Sequence, residues 1–533
     1  MALEFYTLRS LAVYSWPLLT TVAILAPLFL IGLSVYRLFF HPYAKYPGPL
    51  LAKLTSWYVL YHAYVGDLHT DIWRCHQKYG DVVRYGPNRI VIDSESGLKA
   101  IYGHGANVHK SKGYERVTFI PKVHATLCTL DDTRHRFYRR LMNQGLSDTH
   151  IRRMDKKLRS LASLFASSLG EPTDRFHNTE EPAGDGWSVP KNMSHWCDYF
   201  TFDVMSELVF STSYNLLTNS ANHWIIQGVI GQMQRFGFLL QLPELETLKL
   251  NHVFFPEARQ RAMRFSVKAK EIMQERQLRQ KEELNDVLGN LLAARDPETG
   301  EGLPNAQLWV DSNLLIIAGS DTSSTAMAAL FFYLSRNPTA YGRVTKEVRA
   351  VFNNPADVAQ GPQLNSCVYL RACVFEVIRL CPAVSGALWR EVLDGGLSIP
   401  EMNMHIPAGC EVGTGIWSLN HNEKYFPDAF AFQPERWIAE ESGDEAVNSA
   451  KSALASFSVG PRNCVGKGLA IAEISLAMAA VISQYDFRKA ETRCSEVGEG
   501  KGVFKGQFQT TWAFTSLKDG PYIQFRKYVP GSN

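Results

Sequence analysis

Positions 10–36 of this chain hold no charged residue and include the run Val22-Ala23-Ile24-Leu25-Ala26-Pro27-Leu28-Phe29-Leu30-Ile31. About 20 apolar residues suffice to cross a bilayer, so the run predicts a single N-terminal transmembrane helix. A cleaved signal would have a shorter apolar core, about 7 to 15 residues, and a small-x-small cleavage site, which does not stand out here. Pro17 and Pro27 are tolerable in a membrane helix. Arg37, Lys45 and Lys53 follow the run and only Arg9 precedes it. The basic bias therefore puts residues 1–9 on the lumenal side and the bulk of the chain in the cytosol.

Residues 37–50 contain His41-Pro42-Tyr43-Ala44-Lys45-Tyr46-Pro47-Gly48-Pro49. Prolines restrict themselves and the residue before them, so this stretch is predicted to be a stiff, extended hinge. Residues 82–92 read as two short strands around a Gly-Pro-Asn turn. From about residue 148 helical patterns dominate, with a polar Pro/Gly loop near 180–191. A helix over 305–336, apolar through 314–334 and ending before Pro338, should run through the core. A second apolar helix is predicted over 468–483. The pattern is thus mainly helical after a short β region over 82–92. No internal repeat or linker divides residues 51–533, which read as one catalytic domain.

Composition narrows the class. The 533 residues carry 55 basic and 52 acidic side chains, so nothing argues for nucleic acid. Nine cysteines without Cys-x-x-Cys spacing suggest a reducing compartment without disulfides or zinc. The sequon Asn192-Met193-Ser194 would be unused on a cytosolic domain.

One cysteine is set apart by its surroundings, Phe457-Ser458-Val459-Gly460-Pro461-Arg462-Asn463-Cys464-Val465-Gly466. Gly460 and Gly466 would let backbone approach something flat, and Arg462 brings a fixed cation beside an anion. The order Phe-x-x-Gly-x-Arg-x-Cys-x-Gly resembles the haem-binding signature of the cytochromes P-450, with Cys464 as the axial ligand of haem b. A thiolate there pushes electron density onto the iron and favours O–O cleavage.

Further motifs follow in that family's order. Ala318-Gly319-Ser320-Asp321-Thr322-Ser323 resembles its oxygen-binding segment. The resemblance implies that Gly319 makes room beside the iron, that Thr322 offers a hydroxyl and that Asp321 starts a proton route. Taken alone, the Asp-Thr pair could equally be bonded to the local backbone. Glu376 and Arg379, at i and i+3 among apolar residues, resemble the Glu-x-x-Arg helix, with Arg436 completing a structural trio. His135 and Arg139 share a helix face and by resemblance meet a haem propionate, as do Arg462 and Arg390. Arg136 and Arg140, on another face, would meet an acidic electron donor or remain solvated.

The resemblance implies a microsomal monooxygenase of the fungal kind, with a mainly α fold and a smaller β region near the N-terminal half. It would be anchored in the endoplasmic reticulum, use O2, and receive electrons from NADPH through a flavoprotein reductase, with cytochrome b5 as a further candidate donor. An O2-independent isomerase or dehydratase on the same haem stays open, as does a non-catalytic haem-binding membrane protein. The substrate pocket is expected from the 108–127 loop, residues 314–318, the 383–388 turn and the 509–514 hairpin. Phe119, Ile120, Val384 and Trp512 make it largely apolar. His109, Lys110, Lys112 and Lys122 read as solvated loop charges or as a carboxylate site.

Overall fold

The computed structural model describes residues 20–530 apart from 22, 119, 121, 177–184, 279–285 and 493. Residues 1–19 lie outside that set, and with them Arg9, Pro17 and the first ten residues of the anchor. The anchor's described part forms an apolar helix, Ala23–Phe40, none of whose residues is buried in protein. It continues past position 36 and closes on a π-helical turn, Tyr36–Phe40. Two other helices are long and apolar enough to cross a membrane, Asn305–Arg336 and Lys467–Gln484, but both are mostly buried inside the protein.

The hinge is not extended as expected. Residues 41–46 fold into turns, Ala44 N–H donating to His41 O and Tyr46 N–H to Tyr43 O, and only 47–49 are straight. Packing explains the difference, because Tyr43 is fully buried against the body. Buried Arg84 donates to the carbonyls of Arg37 (2.6 Å) and Pro87 (2.7 Å), and its own N–H bonds to Pro47 O. A Cβ on Gly48 would lie 2.2 Å from Arg84 O, so only glycine lets the hinge lie against this strand.

The expected strand pair forms as β1 (Val82–Gly86) and β2 (Arg89–Ile92). The sheet also recruits β3 (Val108–Lys110), β4 (Arg390–Val392) and β5 (Glu411–Gly413), in spatial order β1-β2-β5-β4-β3. β-structure is thus not confined to the N-terminal half; further ribbons lie at Thr510–Ala513 with Thr515–Lys518 and at Tyr485–Lys489 with Tyr522–Lys527. The rest is mainly helical. The predicted core helices appear as Asn305–Leu334 and Lys467–Gln484, each within two residues of its expected ends. Asn192 is buried and bonded to Ser194, Asp519 and Gly520, which removes the sequon from reach.

Candidate active site

The Asn305–Leu334 helix and the loop leading into the Lys467–Gln484 helix face each other across a cavity of about 270 Å³. Protein cores are packed nearly as densely as crystals, so a void this size is a ligand site and no packing flaw. Cys464 and Phe457 lie on one wall and Ala318, Thr322, Ser323 and Ala326 on the other. Thr126, Leu127, Leu314, Val384 and Phe514 form the apolar remainder.

The cysteine loop is built to hold its shape. Cys464 N–H donates to Phe457 O at 2.9 Å, closing the loop, and Gly460 sits at φ 70°. A Cβ on Gly460 would meet Tyr102 O at 2.1 Å. Gly460 therefore serves the contact with that neighbouring backbone, not close approach to a flat ligand. Gly466 is the position with open space at its missing side chain. All nine cysteines are free, seven of them buried, and Cys464 opens onto the cavity. Surrounding protein pushes its thiol up, while the Gly466 and Lys467 N–H groups and the charges of Arg139 and Lys467 oppose that. These are the helix N-terminal dipoles that a thiolate ligand needs.

Beneath the loop, Glu376 and Arg379 on the Val368–Leu380 helix are both fully buried and 2.7 Å apart. Glu376 also accepts from Arg436 Nε (3.0 Å), Trp437 Nε1 (2.8 Å) and Gln433 N (3.1 Å). Burial alone would raise its pKa, but Arg379 and Arg436 hold it below the usual range. Arg379 passes the load on by donating to Asn420 O (2.8 Å) and Ala429 O (2.7 Å). Asn420 in turn binds Ser456 Oγ and the Ala455 N–H, immediately before Phe457. The motif reading gave the trio; Asn420, an unremarked polar residue in sequence, is its link to the loop.

On the opposite wall, Thr322 lines the cavity but its hydroxyl donates to Ala318 O at 2.6 Å, the local backbone bond weighed from sequence. Asp321 is not among the lining residues. Burial pushes its carboxyl up to about 6, and it lies within electrostatic reach of Lys518 and Asp198. Lys518 donates to Asp198 (2.8 Å) and Ser324 (3.0 Å). A Cβ on Gly319 would lie 2.5 Å from the Met205 sulfur. This glycine therefore makes room for the packed Met193–Phe210 helix, where the motif had implied room beside a cofactor.

His135, Arg139 and Arg462 all line the cavity. Arg139, however, donates to Asn463 O (2.6 Å) and Asn463 Oδ1 (2.8 Å), pinning the residue before Cys464. Arg462 bonds Thr129 O and Asp132, tying the loop to the Asp132–Gly145 helix. His135 is buried, and desolvation with the charges of Arg462 and Lys110 pushes it down to about 3, so it is neutral. Arg390 is buried too, donates to the nearby carbonyls of Leu388 and Trp389, and lies 4.8 Å over the Tyr102 ring. Arg140 is engaged by Asp296 and Glu298, whereas Arg136 is exposed and donates to Thr133 Oγ1 at 3.2 Å.

Sequence reasoning missed Asp311. Fully buried one turn before the cavity wall, it accepts from Thr126 N (2.7 Å), Thr126 Oγ1 (2.7 Å) and Gln307 Nε2 (2.8 Å). It therefore fixes the loop that presents Thr126 and Leu127. An aspartate amid the apolar residues of a core helix was the available signal. Trp512, expected in the lining, instead wedges between Gly237 and Gly386, and Phe514, stacked on Phe236, takes its place. Phe119 lies outside the described residues. We predict that Asp311→Ala lowers stability by ~1–3 kcal/mol by orphaning the Thr126 N–H. It should also weaken apolar ligands, read from Soret shifts, without altering the reduced-carbon monoxide spectrum. Unchanged ligand affinity would show that the wall does not depend on this clamp.

A lone thiolate holds a metal only when the metal brings equatorial ligands of its own, as iron does in a porphyrin. Among the described residues no cluster of three or more His, Cys, Asp or Glu could hold a bare ion. Cys464, the open face at Gly466, and the cations at one rim fit a haem with its two carboxylates. The fold and this cavity describe a haem-thiolate protein.

Comparison with known proteins agrees. The family model described as cytochrome P450 matches residues 47–506, and the chain belongs to that family. It is 57% identical over 93% of its length to cytochrome P450 monooxygenase apf7 of Gibberella fujikuroi, covering 96% of that protein. It is 39% identical over 96% of its length to cytochrome P450 monooxygenase AKT7 of Alternaria alternata, covering 98% of it. To cytochrome P450 monooxygenase atnE of Emericella nidulans it is 37% identical, over 92% of this chain and 93% of the relative. The protein is an oxidoreductase enzyme of the haem-thiolate kind.

Proposed function

We propose that this chain is a membrane-anchored monooxygenase of the endoplasmic reticulum, with its catalytic domain in the cytosol. It inserts one atom of O2 into a largely apolar organic substrate in fungal secondary metabolite biosynthesis. Electrons come from NADPH through a flavoprotein reductase, with cytochrome b5 as a second donor. The observation that carries this reading is the cavity with Cys464 on one wall and Thr322 on the other. When bound, haem b on Cys464 supplies activation of dioxygen; the protein's own residues position the substrate and handle protons. Leu127, Leu314, Val384 and Phe514 hold an apolar substrate and exclude water. On this reading Thr322 relays protons into the cavity it lines, and the buried Asp321–Lys518–Asp198 group would supply it from the surface, since Asp198 is partly exposed.

Membrane attachment is supported by a second surface. Leu50, Leu51, Trp57, Tyr61, Tyr64, Leu248, Val253 and Phe254 are exposed, and the Trp57 and Phe254 rings meet at 5.9 Å. Exposed apolar side chains of this kind suit contact with a bilayer.

Reconstitution with a reductase tests the activity: product formation should require both NADPH and O2. Turnover without them would favour the O2-independent isomerase or dehydratase reading. Thr322→Ala should lower product formation by ~10²-fold, the low end of what a positioned proton donor contributes. NADPH consumption should continue, with hydrogen peroxide released. Unchanged coupling in that variant removes Thr322 from the proton route, and unchanged function without turnover would favour a non-catalytic haem protein.

A further inference from the structure

The Asp321 carboxyl is separated from the cavity it would serve. Asp321 is absent from the lining, and the Thr322 hydroxyl proton is committed to Ala318 O at 2.6 Å. A second hydroxyl stands between them. Thr515 lines the cavity, is 2% exposed, and opens the Thr515–Lys518 strand beside the Asn305–Leu334 helix. Thr325 Oγ1 lies 3.4 Å from Ser516 O and Lys518 Nζ 3.0 Å from Ser324 Oγ, so strand and helix are joined at two points. On its far side Thr515 bridges to Val384, and Ser516 N–H donates to Ala383 O at 2.7 Å. The hydroxyl is therefore fixed between the helix and the 383–388 turn. Thr515 Oγ1 and Asp321 Oδ2 are both buried without a partner of hydrogen-bonding geometry, yet Thr515 is near enough to the carboxyl to favour its ionised form.

Buried polar atoms left open are rare in folded proteins, and two of them close together call for a role. The other hydroxyls of the lining are committed or lie on the opposite wall. Thr126 donates to Asp311 at 2.7 Å, Ser456 to Ile378 O at 2.8 Å, and Ser323 is within reach of Glu473. Ser458 is open but belongs to the cysteine loop. We propose that Thr515 is the relay residue that carries protons from Asp321 into the cavity that Thr322 lines. This inference rests on the monooxygenase reading above, which requires protons there. In each transfer the Asp321 carboxyl proton bonds to Thr515 Oγ1 as the threonine's own hydroxyl proton leaves for an acceptor oxygen in the cavity. Thr515 ends unchanged. Asp321 is left as a carboxylate facing the Lys518 ammonium, and regains a proton from solvent by way of Asp198, which is partly exposed and 2.8 Å from Lys518 Nζ. A carboxyl pushed up to about 6 by burial can both hold and release a proton near neutrality.

The test uses the full-length holoprotein with Thr515→Val, Thr515→Ser, Asp321→Asn, and Thr515→Val combined with Asp321→Asn. Valine matches threonine in shape, so the wall keeps its form. With reductase, NADPH and O2, product formation should fall ~10²-fold in Thr515→Val, the low end of what positioned proton transfer contributes, while NADPH consumption continues and hydrogen peroxide is released. Thr515→Ser should restore most of the coupling. The double variant should be no slower than Asp321→Asn alone, because two links of one chain do not add. The infrared C=O band of the Asp321 carboxyl in acidic buffer, identified by its loss in Asp321→Asn, gives a readout independent of turnover. Thr515→Val should shift that band upward and Thr515→Ser should return it. Should Thr515→Val not fold, Thr515→Ala carries the same comparisons. Additive losses in the double variant, or an unmoved band, would overturn the relay. So would Thr515→Val weakening substrate binding, read from Soret shifts, with coupling intact, which would make Thr515 a substrate anchor. If the parent forms no product from NADPH and O2, the monooxygenase reading fails, and the carboxyl band still decides whether Thr515 and Asp321 share a proton.

Discussion

Cys464→Ser is expected to abolish the thiolate-type spectrum of the reduced, carbon monoxide-treated protein while leaving the fold intact. The two halves of this expectation have separate physical grounds. A serine hydroxyl is far too weak an acid to present an anion to iron, even where the Gly466 and Lys467 N–H groups and the Arg139 charge favour one at this position. The loop, by contrast, does not depend on the sulfur for its shape. It is closed by the Cys464 N–H to Phe457 O bond, tied to Arg139 through Asn463, and tied by Arg462 to Thr129 and Asp132. Thermal unfolding of the haem-free variant should therefore shift by less than ~1 kcal/mol, as replacing one accessible atom creates no cavity. A variant that kept the thiolate-type spectrum would remove Cys464 as the ligand and with it the haem-thiolate reading of the cavity.

The second large effect is expected at Glu376. Glu376→Ala leaves Arg379 at 0% exposure and Arg436 at 9% without their shared counter-ion. Breaking a buried pair in this way costs ~3–5 kcal/mol, a large part of the ~5–15 kcal/mol that holds a typical domain together. The damage reaches the haem ligand through Arg379, Asn420 and Ser456, so the variant should accumulate as haem-free or insoluble protein. The exposed Arg343–Glu441 pair offers the matched control: Glu441→Ala should cost under ~1 kcal/mol, because water already screens both charges. Equal haem content and equal melting temperatures for the two variants would refute the structural role of the trio.

What could be read from the sequence was what local spacing encodes. The Glu376–Arg379 pair and the ends of both core helices depend on neighbours a few residues apart, and both formed as expected. Residues whose meaning depends on distant partners were opaque. Lys110 looks like one of several loop lysines until β3 pairs it with Arg390, 280 positions later in the chain. Gly319 sits in a motif, yet the atom it makes room for belongs to Met205 on another helix. The hinge prolines stiffen the chain locally, but burial of Tyr43 decides its path.

That buried tyrosine bears on how the enzyme could be handled in solution. A shortened chain meant to dispense with the bilayer would ordinarily be cut after the last proline of the hinge. Here such a cut would remove Tyr43 from the body and Pro47 O from the Arg84 N–H, opening a hole in the sheet that carries Lys110 and Arg390. A shortened chain that keeps Tyr43 and Pro47 would retain these contacts.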